Sequence, residues 1–399
     1  MKYLITGAQF NNKGAQSLLF TAISEIKKRD IEADFYYLPI DDPFKYDAKL
    51  YNFKIVFDDM AIDDCNFDFK RNLRNRYYCF KDFFKFLFSK SKLYKLSYVL
   101  NEIDYLVDVS GYALTSKFDL SGAYRYCRLI NSAKSRGKKV VLMPQSFGPF
   151  NYENDLKKLI VESLNKVDLI CCRESEGVHM LKEIGVTNQV LLRCDIVLSS
   201  DETQSSNIYV NKTEPCLLEI LTKNNVGIVP NKQLLKHGNV DNVMGVYKLI
   251  IEELISKNKN IYIFKHSNDM EMCRMIYSLF EVNELVHLIE EDIDCLAFGE
   301  FLKRFDFIIG ARYHSIVHAY KVGVPCLILG WAIKYVELAK LFGQERFVFD
   351  ITEANSQNIL KITDGLNYLC DSSRIETERI SNCLMSIKAN NCFDLFLSK

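Results

Sequence analysis

The chain has little of what marks fibrous, disordered or disulfide-stapled proteins. Only seven of its 399 residues are Pro and 17 are Gly, which excludes a collagen-like or low-complexity chain. Neither charge sign is in surplus. Lys+Arg and Asp+Glu each number 51, which argues against a protein that binds a polyanion along its whole length, such as a nucleic-acid packaging protein. No apolar run reaches the ~20 residues that cross a bilayer. The longest, Val322 to Ile333, is broken by Gly323, Pro325 and Gly330. Met1 to Gly7 is too short an apolar stretch for a leader and is expected to be a first strand. The 13 cysteines are odd in number and contain no CxxC pair. They lack the spacing of a disulfide framework or a metal cluster. They are expected to be reduced, mostly buried small hydrophobes in a cytoplasmic protein without a metal.

What is there reads as strand then helix, repeated. Tyr3–Thr6 is an apolar run ending at Gly7, and Leu18, Leu19, Ala22, Ile23 and Ile26 then fall on one helical face. Further short apolar runs lie at Ala33–Leu38, Lys54–Phe57, Asp104–Val109, Lys139–Met143 and Asp168–Cys172. Short buried strands separated by helices predict parallel sheets with helices on both faces. The polar stretch from Ser199 to Asn225 interrupts the series and is the expected linker. A second series starts at Val226, with strands expected at Ile261–Lys265, Leu285–Leu288, Phe305–Ile309 and Pro325–Leu329. The predicted division is residues 1–205, residues 220–370, and a helical tail, 371–399, that packs back on the first domain. A length of 399 residues suits two such domains.

In open α/β sheets ligands bind beyond the carboxyl ends of the strands. The first strand is followed by Asn11, Asn12, Lys13 and Gly14 at a helix N-terminus, where backbone N–H groups attract anions. The spacing fits neither a dinucleotide fingerprint nor a P-loop. Phe307-Ile308-Ile309-Gly310 ends in Ala311-Arg312-Tyr313-His314-Ser315. Arg312 offers a planar fork for carboxylate or phosphate, and His314 can move a proton near neutral pH. His318, one turn on in an apolar helix, is expected in the core. Arg173, Lys265 and His266 also follow strands, as do Gln145 and Tyr112. Three cations and two histidines at strand ends suit a small, highly anionic ligand. A salt-bridged interface is the other reading of Arg312 and His314.

Together these elements resemble the polysaccharide pyruvyl transferase family. Gly310-Ala311-Arg312-Tyr313-His314-Ser315 is similar to its G-x-R-x-H-S element, and Pro144-Gln145-Ser146-Phe147-Gly148-Pro149 to its P-Q-x-x-G-P element. Asn12-Lys13-Gly14-Ala15, Arg173-Glu174-Ser175, Asp195, Gly323-Val324-Pro325 and Lys334 follow the family's order. The resemblance implies an α/β fold of two Rossmann-like domains facing across a cleft, GT-B-like, with parallel sheets flanked by helices. It implies transfer of a pyruvyl group from phosphoenolpyruvate to a sugar, as a cyclic ketal, with no cofactor. The acceptor would belong to a cell-surface polysaccharide or a lipid- or nucleotide-linked precursor. The expected roles are anion binding by Arg312 and Arg173 with support from Lys265, and general acid by His314 or, second, His266. Asn11, Asn12, Gln145 and Tyr112 are expected at the sugar, and Ser315 and Lys334 complete the binding set. The chain departs from the family at Ala15, where Asp is frequent, and in a long segment from about 66 to 100. The alternative is a GT-B glycosyltransferase with a nucleotide-sugar donor, for which Glu337 is the candidate acid.

Within that segment, residues 70–95 hold nine Lys/Arg, one acid (Asp82) and interleaved aromatics. Such a stretch can lie as a basic amphipathic helix on an anionic membrane, which would make the protein peripheral at the inner membrane face. A helical insertion packed on the first domain is the other reading. No nucleic-acid-binding module is recognisable. Oligomeric state leaves no mark in the sequence.

Overall fold

The computed structural model describes residues 1–60, 92–211, 223–352 and 356–397. Apolar runs become strands in two all-parallel sheets. The first holds β1 (Lys2–Thr6), β2 (Asp34–Leu38), β3 (Lys54–Phe57), β4 (Leu93–Lys95), β5 (Tyr105–Asp108), β6 (Lys139–Gln145), β7 (Leu169–Cys172) and β8 (Val190–Leu192). Its spatial order is β4-β3-β2-β1-β5-β6-β7-β8. The second holds β9 (Asn225–Val229), β10 (Asn260–Phe264), β11 (Val286–Ile289), β12 (Phe307–Gly310), β13 (Cys326–Leu329) and β14 (Val348–Phe349). Its order is β11-β10-β9-β12-β13-β14. Strand order therefore reverses between β1 and β5 in one sheet and between β9 and β12 in the other. Loops diverge at such a reversal and leave a crevice at the carboxyl ends.

The sequence pattern explains the placement. Every residue of β9, β12 and β13 is buried, as expected of strands covered on both faces. Three strands escape the periodicity reading: β4, β8 and β14. Each is an edge strand of two or three residues, too short to show an alternation. β4 also corrects the expected helical insertion, because the end of that segment is a strand paired with β3, followed by the helix Leu96–Glu102. Residues 61–91 lie outside the described residues, and with them most of the basic, aromatic stretch 70–95. The expected linker begins with the helical turn Ile196–Ser199, and its residues 212–222 also lie outside. Among the described residues no helix is long and apolar enough to cross a membrane.

The helix Lys13–Arg29 connects β1 to β2. Its N-cap is Asn12, whose Oδ1 accepts from Gly14 N at 3.0 Å, and its last turn carries Lys27, Lys28 and Arg29, which complements the helix dipole. One apolar cluster runs from this helix (Leu18, Leu19, Phe20) through Ile196 to Phe298, Ile316 and Tyr320 of the second domain. The two domains thus share a core. Polar links cross the same seam: Cys295 N donates to Gln16 Oε1 at 2.8 Å and Tyr209 OH to Asp294 at 2.7 Å.

The helix Ser356–Lys388 breaks at Ser372. Its first half supplies Ile362, Leu366 and Leu369 to the second domain's core. Beyond it the chain returns to the first domain. Asn391 Nδ2 donates to Glu25 Oε2 at 2.8 Å, and Arg29 Nε donates to Asp394 Oδ1 at 2.8 Å. The helix is pinned by Glu376, a fully buried carboxylate that accepts from Gln344, Arg346, Tyr368 and Arg379. Removing one member of a buried charged network strands the others. Glu376→Ala should therefore cost about 3 kcal/mol, read by chemical denaturation.

Candidate active site

Both strand-order reversals open into one cavity of about 650 Å³. The first domain contributes Asp108, Tyr112, Arg125 and Arg173, and the second contributes Arg312, His314 and Lys334. His314 stands in the first turn of the helix Tyr313–Lys321. Its Nε2 lies 3.3 Å from Asp195 Oδ2, close enough for an ion pair but off-line for a hydrogen bond. Asp195 caps the helical turn Ile196–Ser199 by accepting from Val197 N at 3.0 Å. Burial alone would raise its carboxyl. His314 and Arg173 overcome that and hold it well below the usual carboxylate range. Burial depresses the His314 imidazole, and Asp195 offsets only part of this.

Arg173 is not a free ligand-binding cation. Its Nη1 donates to Asp195 at 3.1 Å, Nε to Glu174 at 3.1 Å, and Nη2 to Gly111 O at 3.0 Å and Ser146 Oγ at 2.8 Å. Its guanidinium stacks 4.4 Å from the centre of the Tyr313 ring. It positions Asp195 and, through it, His314. Arg312 also has a fixed partner. Its Nε donates to Asp269 Oδ2 at 2.8 Å and its Nη2 to Oδ1 of the same residue. Asp269 is fully buried. Nη1 of Arg312 has no partner among the described residues, and the side chain is 23% exposed, so one edge of the fork faces the cavity. Lys334 has no carboxylate within ion-pair distance among the described residues. It lies 5.6 Å from the Tyr313 ring centre and 5.7 Å from that of Tyr335. Burial, with Arg173 nearby, pushes its ammonium down to about 8.

Of the other expected residues, only Asn12 and Tyr112 line the cavity. Lys265 does not line the cavity. It shares Asp292 Oδ1, at 3.3 Å, with Lys13 of the first domain, at 3.0 Å. His266 is buried against Phe298 and His318, with ring centres 5.1 and 5.3 Å away. Burial, then the neighbouring His318, holds it well below its ordinary value. Asn11 is exposed and accepts from Lys45 Nζ at 3.3 Å. Asn12 lines the cavity but spends its side-chain oxygen on the helix cap. Ser315 is fully buried, and its Oγ donates to Arg312 O at 2.7 Å, tightening the turn. Gln145 is fully buried and donates to Asp108 Oδ1 at 3.0 Å. Tyr112 lines the cavity and donates its hydroxyl proton to Gly148 O. Glu337 accepts from Ser175 at 3.2 Å and does not line the cavity.

Two residues absent from the set read in the sequence shape the site: Asp108 and Asp269. A signal existed for Asp108, an acid as the last residue of a buried strand. Nothing local pointed from Arg312 to Asp269, 43 positions away. A second cavity, of about 570 Å³, opens elsewhere on the seam. Its lysines 303 and 388 pair with Glu202, Glu300 and Asp201 on its own walls. Among the described residues no group of His, Cys, Asp or Glu is arranged to hold a metal ion.

Two Rossmann-like domains of parallel sheet, facing across a cleft at their carboxyl ends, make a fold of the GT-B type. A family model, polysaccharide pyruvyl transferase, matches residues 12–332, and the chain belongs to that family of transferases. In fold it is similar to UDP-GlcNAc 2-epimerase from Methanocaldococcus jannaschii (12% identity, 97% of this chain and 100% of that one, TM-score 0.59). It is also similar to UDP-GlcNAc 2-epimerase from Neisseria meningitidis bound to UDP-GlcNAc (14%, 97% and 98%, TM-score 0.57). No curated protein matches the chain in sequence.

Close packing makes two outcomes testable. A Cβ on Gly14 would lie 2.2 Å from His314 Cγ. Gly14→Ala gains helix propensity of about 1 kcal/mol but forces the ring aside, an overpacking cost of about 1–3 kcal/mol. A lowered unfolding temperature is expected. His318 is buried, with neither ring nitrogen partnered among the described residues, and burial first, then His314, lowers it to about 3. Between that value and pH ~6.5 the unfolded chain binds a proton there that the folded chain does not, so stability falls as pH falls. The slope is about 1.4 kcal/mol per pH unit for one such group. His318→Phe should remove one proton's slope from pH 6.5 to 4.5, measured by denaturation against pH.

Proposed function

We propose that the protein transfers a pyruvyl group from phosphoenolpyruvate to two hydroxyls of a sugar, forming a cyclic ketal and releasing phosphate. The observation that carries this reading is the pairing of Arg312 and Lys334 with His314 on one wall of the cavity of a pyruvyl transferase family member. A donor with both carboxylate and phosphate needs two cationic contacts, and these are the cavity's cations from the second domain. The bidentate bond to Asp269 fixes the Arg312 plane, leaving Nη1 as the ligand-facing donor.

In the reaction, His314 as imidazolium gives a proton to C3 of the donor. A sugar hydroxyl oxygen bonds to C2, and a second hydroxyl displaces phosphate to close the ketal. The two hydroxyl protons end on C3 and on the departing phosphate. The unliganded site disfavours the imidazolium, because burial depresses it. A multiply anionic donor alongside reverses that preference, so the acid is armed by donor binding. The acceptor is a sugar of a cell-surface polysaccharide or of its lipid- or nucleotide-linked precursor, met on the cytoplasmic side.

Phosphate release is expected from phosphoenolpyruvate only when a suitable sugar from a panel of nucleotide- and lipid-linked acceptors is present. Phosphoenolpyruvate alone should raise the unfolding temperature. His314→Gln should lower turnover about 10²–10⁴-fold with the fold intact by circular dichroism. Arg312→Lys, which keeps charge but loses the fork, should raise the KM for donor. Stabilisation by a nucleotide sugar alone, with its consumption in the absence of phosphoenolpyruvate, would replace this reading with glycosyl transfer.

A further inference from the structure

The donor-side cations and His314 account for one wall of the cavity. The first domain's share of the lining carries a carboxylate that those steps leave without a role. Asp108 is the last residue of β5, at the point where strand order reverses beside β1. It lines the cavity and is 4% exposed. Its Oδ1 accepts from Ser110 N at 3.1 Å, Gln145 Nε2 at 3.0 Å and Tyr126 OH at 3.4 Å. Its Oδ2 accepts from Ser110 Oγ at 3.1 Å.

Every one of those donors is neutral. This separates Asp108 from the other acids around the cleft. Asp195 has Arg173, Asp269 has Arg312, and Asp58 has Arg128. Among the described residues no cation pairs with Asp108. A buried carboxylate held only by neutral donors is oriented but not neutralised, which is costly for a group with a purely structural task. Burial pushes its carboxyl up to about 6, against the hydrogen bonds from Ser110, Gln145 and Tyr126. A group balanced between protonation states near neutral pH, on a cavity wall, fits a proton acceptor. Its loop also leads to the reacting centre: a Cβ added to Gly111, three residues on, would sit 3.6 Å from His314 Cε1.

We propose that Asp108 is the general base for the acceptor, and that the cavity wall around Asp108, Tyr126 and Ser110 is the subsite for a sugar hydroxyl. This rests on the pyruvyl-transfer reading. As the hydroxyl oxygen bonds to C2 of the donor, its proton moves to Asp108. When the second hydroxyl attacks, the bond from C2 to the phosphate oxygen breaks with its electron pair on phosphate. The phosphate takes the proton from Asp108. The second hydroxyl's proton restores the one that His314 gave to C3. Gln145 and Tyr126 are positioning residues. They aim the carboxylate and set the pH at which it is ionised.

The test is the pH dependence of phosphate release from phosphoenolpyruvate and sugar, wild type against Asp108→Asn. The amide is isosteric and can keep the bonds to Ser110. Turnover is expected to fall about 10²–10⁴-fold, and the acid limb of the wild-type kcat profile, near pH 6, should vanish. The shift in unfolding temperature caused by phosphoenolpyruvate should persist. Turnover within tenfold of wild type, or an unchanged acid limb, overturns the assignment while leaving pyruvyl transfer standing. A wild-type protein that releases no phosphate with any sugar overturns both. If Asp108→Asn does not fold, Tyr126→Phe gives the answer instead. It removes one donor to the carboxylate, so the acid limb should move to higher pH, and an unmoved limb overturns the proposal.

Discussion

The site depends on one buried anion shared across the domain seam. Asp195 belongs to the first domain, yet its Oδ2 faces both Arg173 of that domain and His314 of the other. Two cation-capable partners make the desolvated carboxylate tolerable. In return it fixes the imidazole where both domains meet. Arg173 reaches further, holding the loops at Gly111 and Ser146 and stacking on Tyr313. The closed arrangement of the cleft and the orientation of His314 are thus set by the same few bonds.

Around that anion the two domains bring different charge to the cleft. The second brings Arg312 and Lys334. The first brings Asp108, held by neutral donors, while its Arg125 and Arg128 are matched by Asp58. The overall neutrality of the chain hides this polarity, because it is local and built from side chains whose partners lie far away in sequence. Arg312 is steered by Asp269 and Lys13 by Asp292, 279 positions away.

The alternation of buried strands and helices was legible because each central strand is apolar on both faces and ends in a polar loop. The edge strands β4, β8 and β14 were not, since two or three residues carry no period. At the site, the strand-to-helix turn Gly310–Ser315 announced Arg312 and His314 by residue type alone. Type did not distinguish a residue that faces the cavity from one that supports it. Arg173, Gln145 and Ser315 have binding chemistry but spend it inside the protein, and His266 is a core ring. That distinction is set by partners such as Glu174 and Asp195, which only the folded chain brings into reach. Asp108 was missed for the converse reason. An acid ending an apolar run reads as a turn until Gln145 and Tyr126 are seen to surround it.

The return of the tail has a mechanical consequence. Residues 206–210 are still bonded to Asn52 and Leu50 of the first domain, and the chain comes back from the second domain where Asn391 bonds to Glu25 and to the carbonyl of Ser199. The second domain is therefore held to the first at both of its ends, so parting the domains at the Asp195–His314 contact also requires the apolar core they share to bend or open.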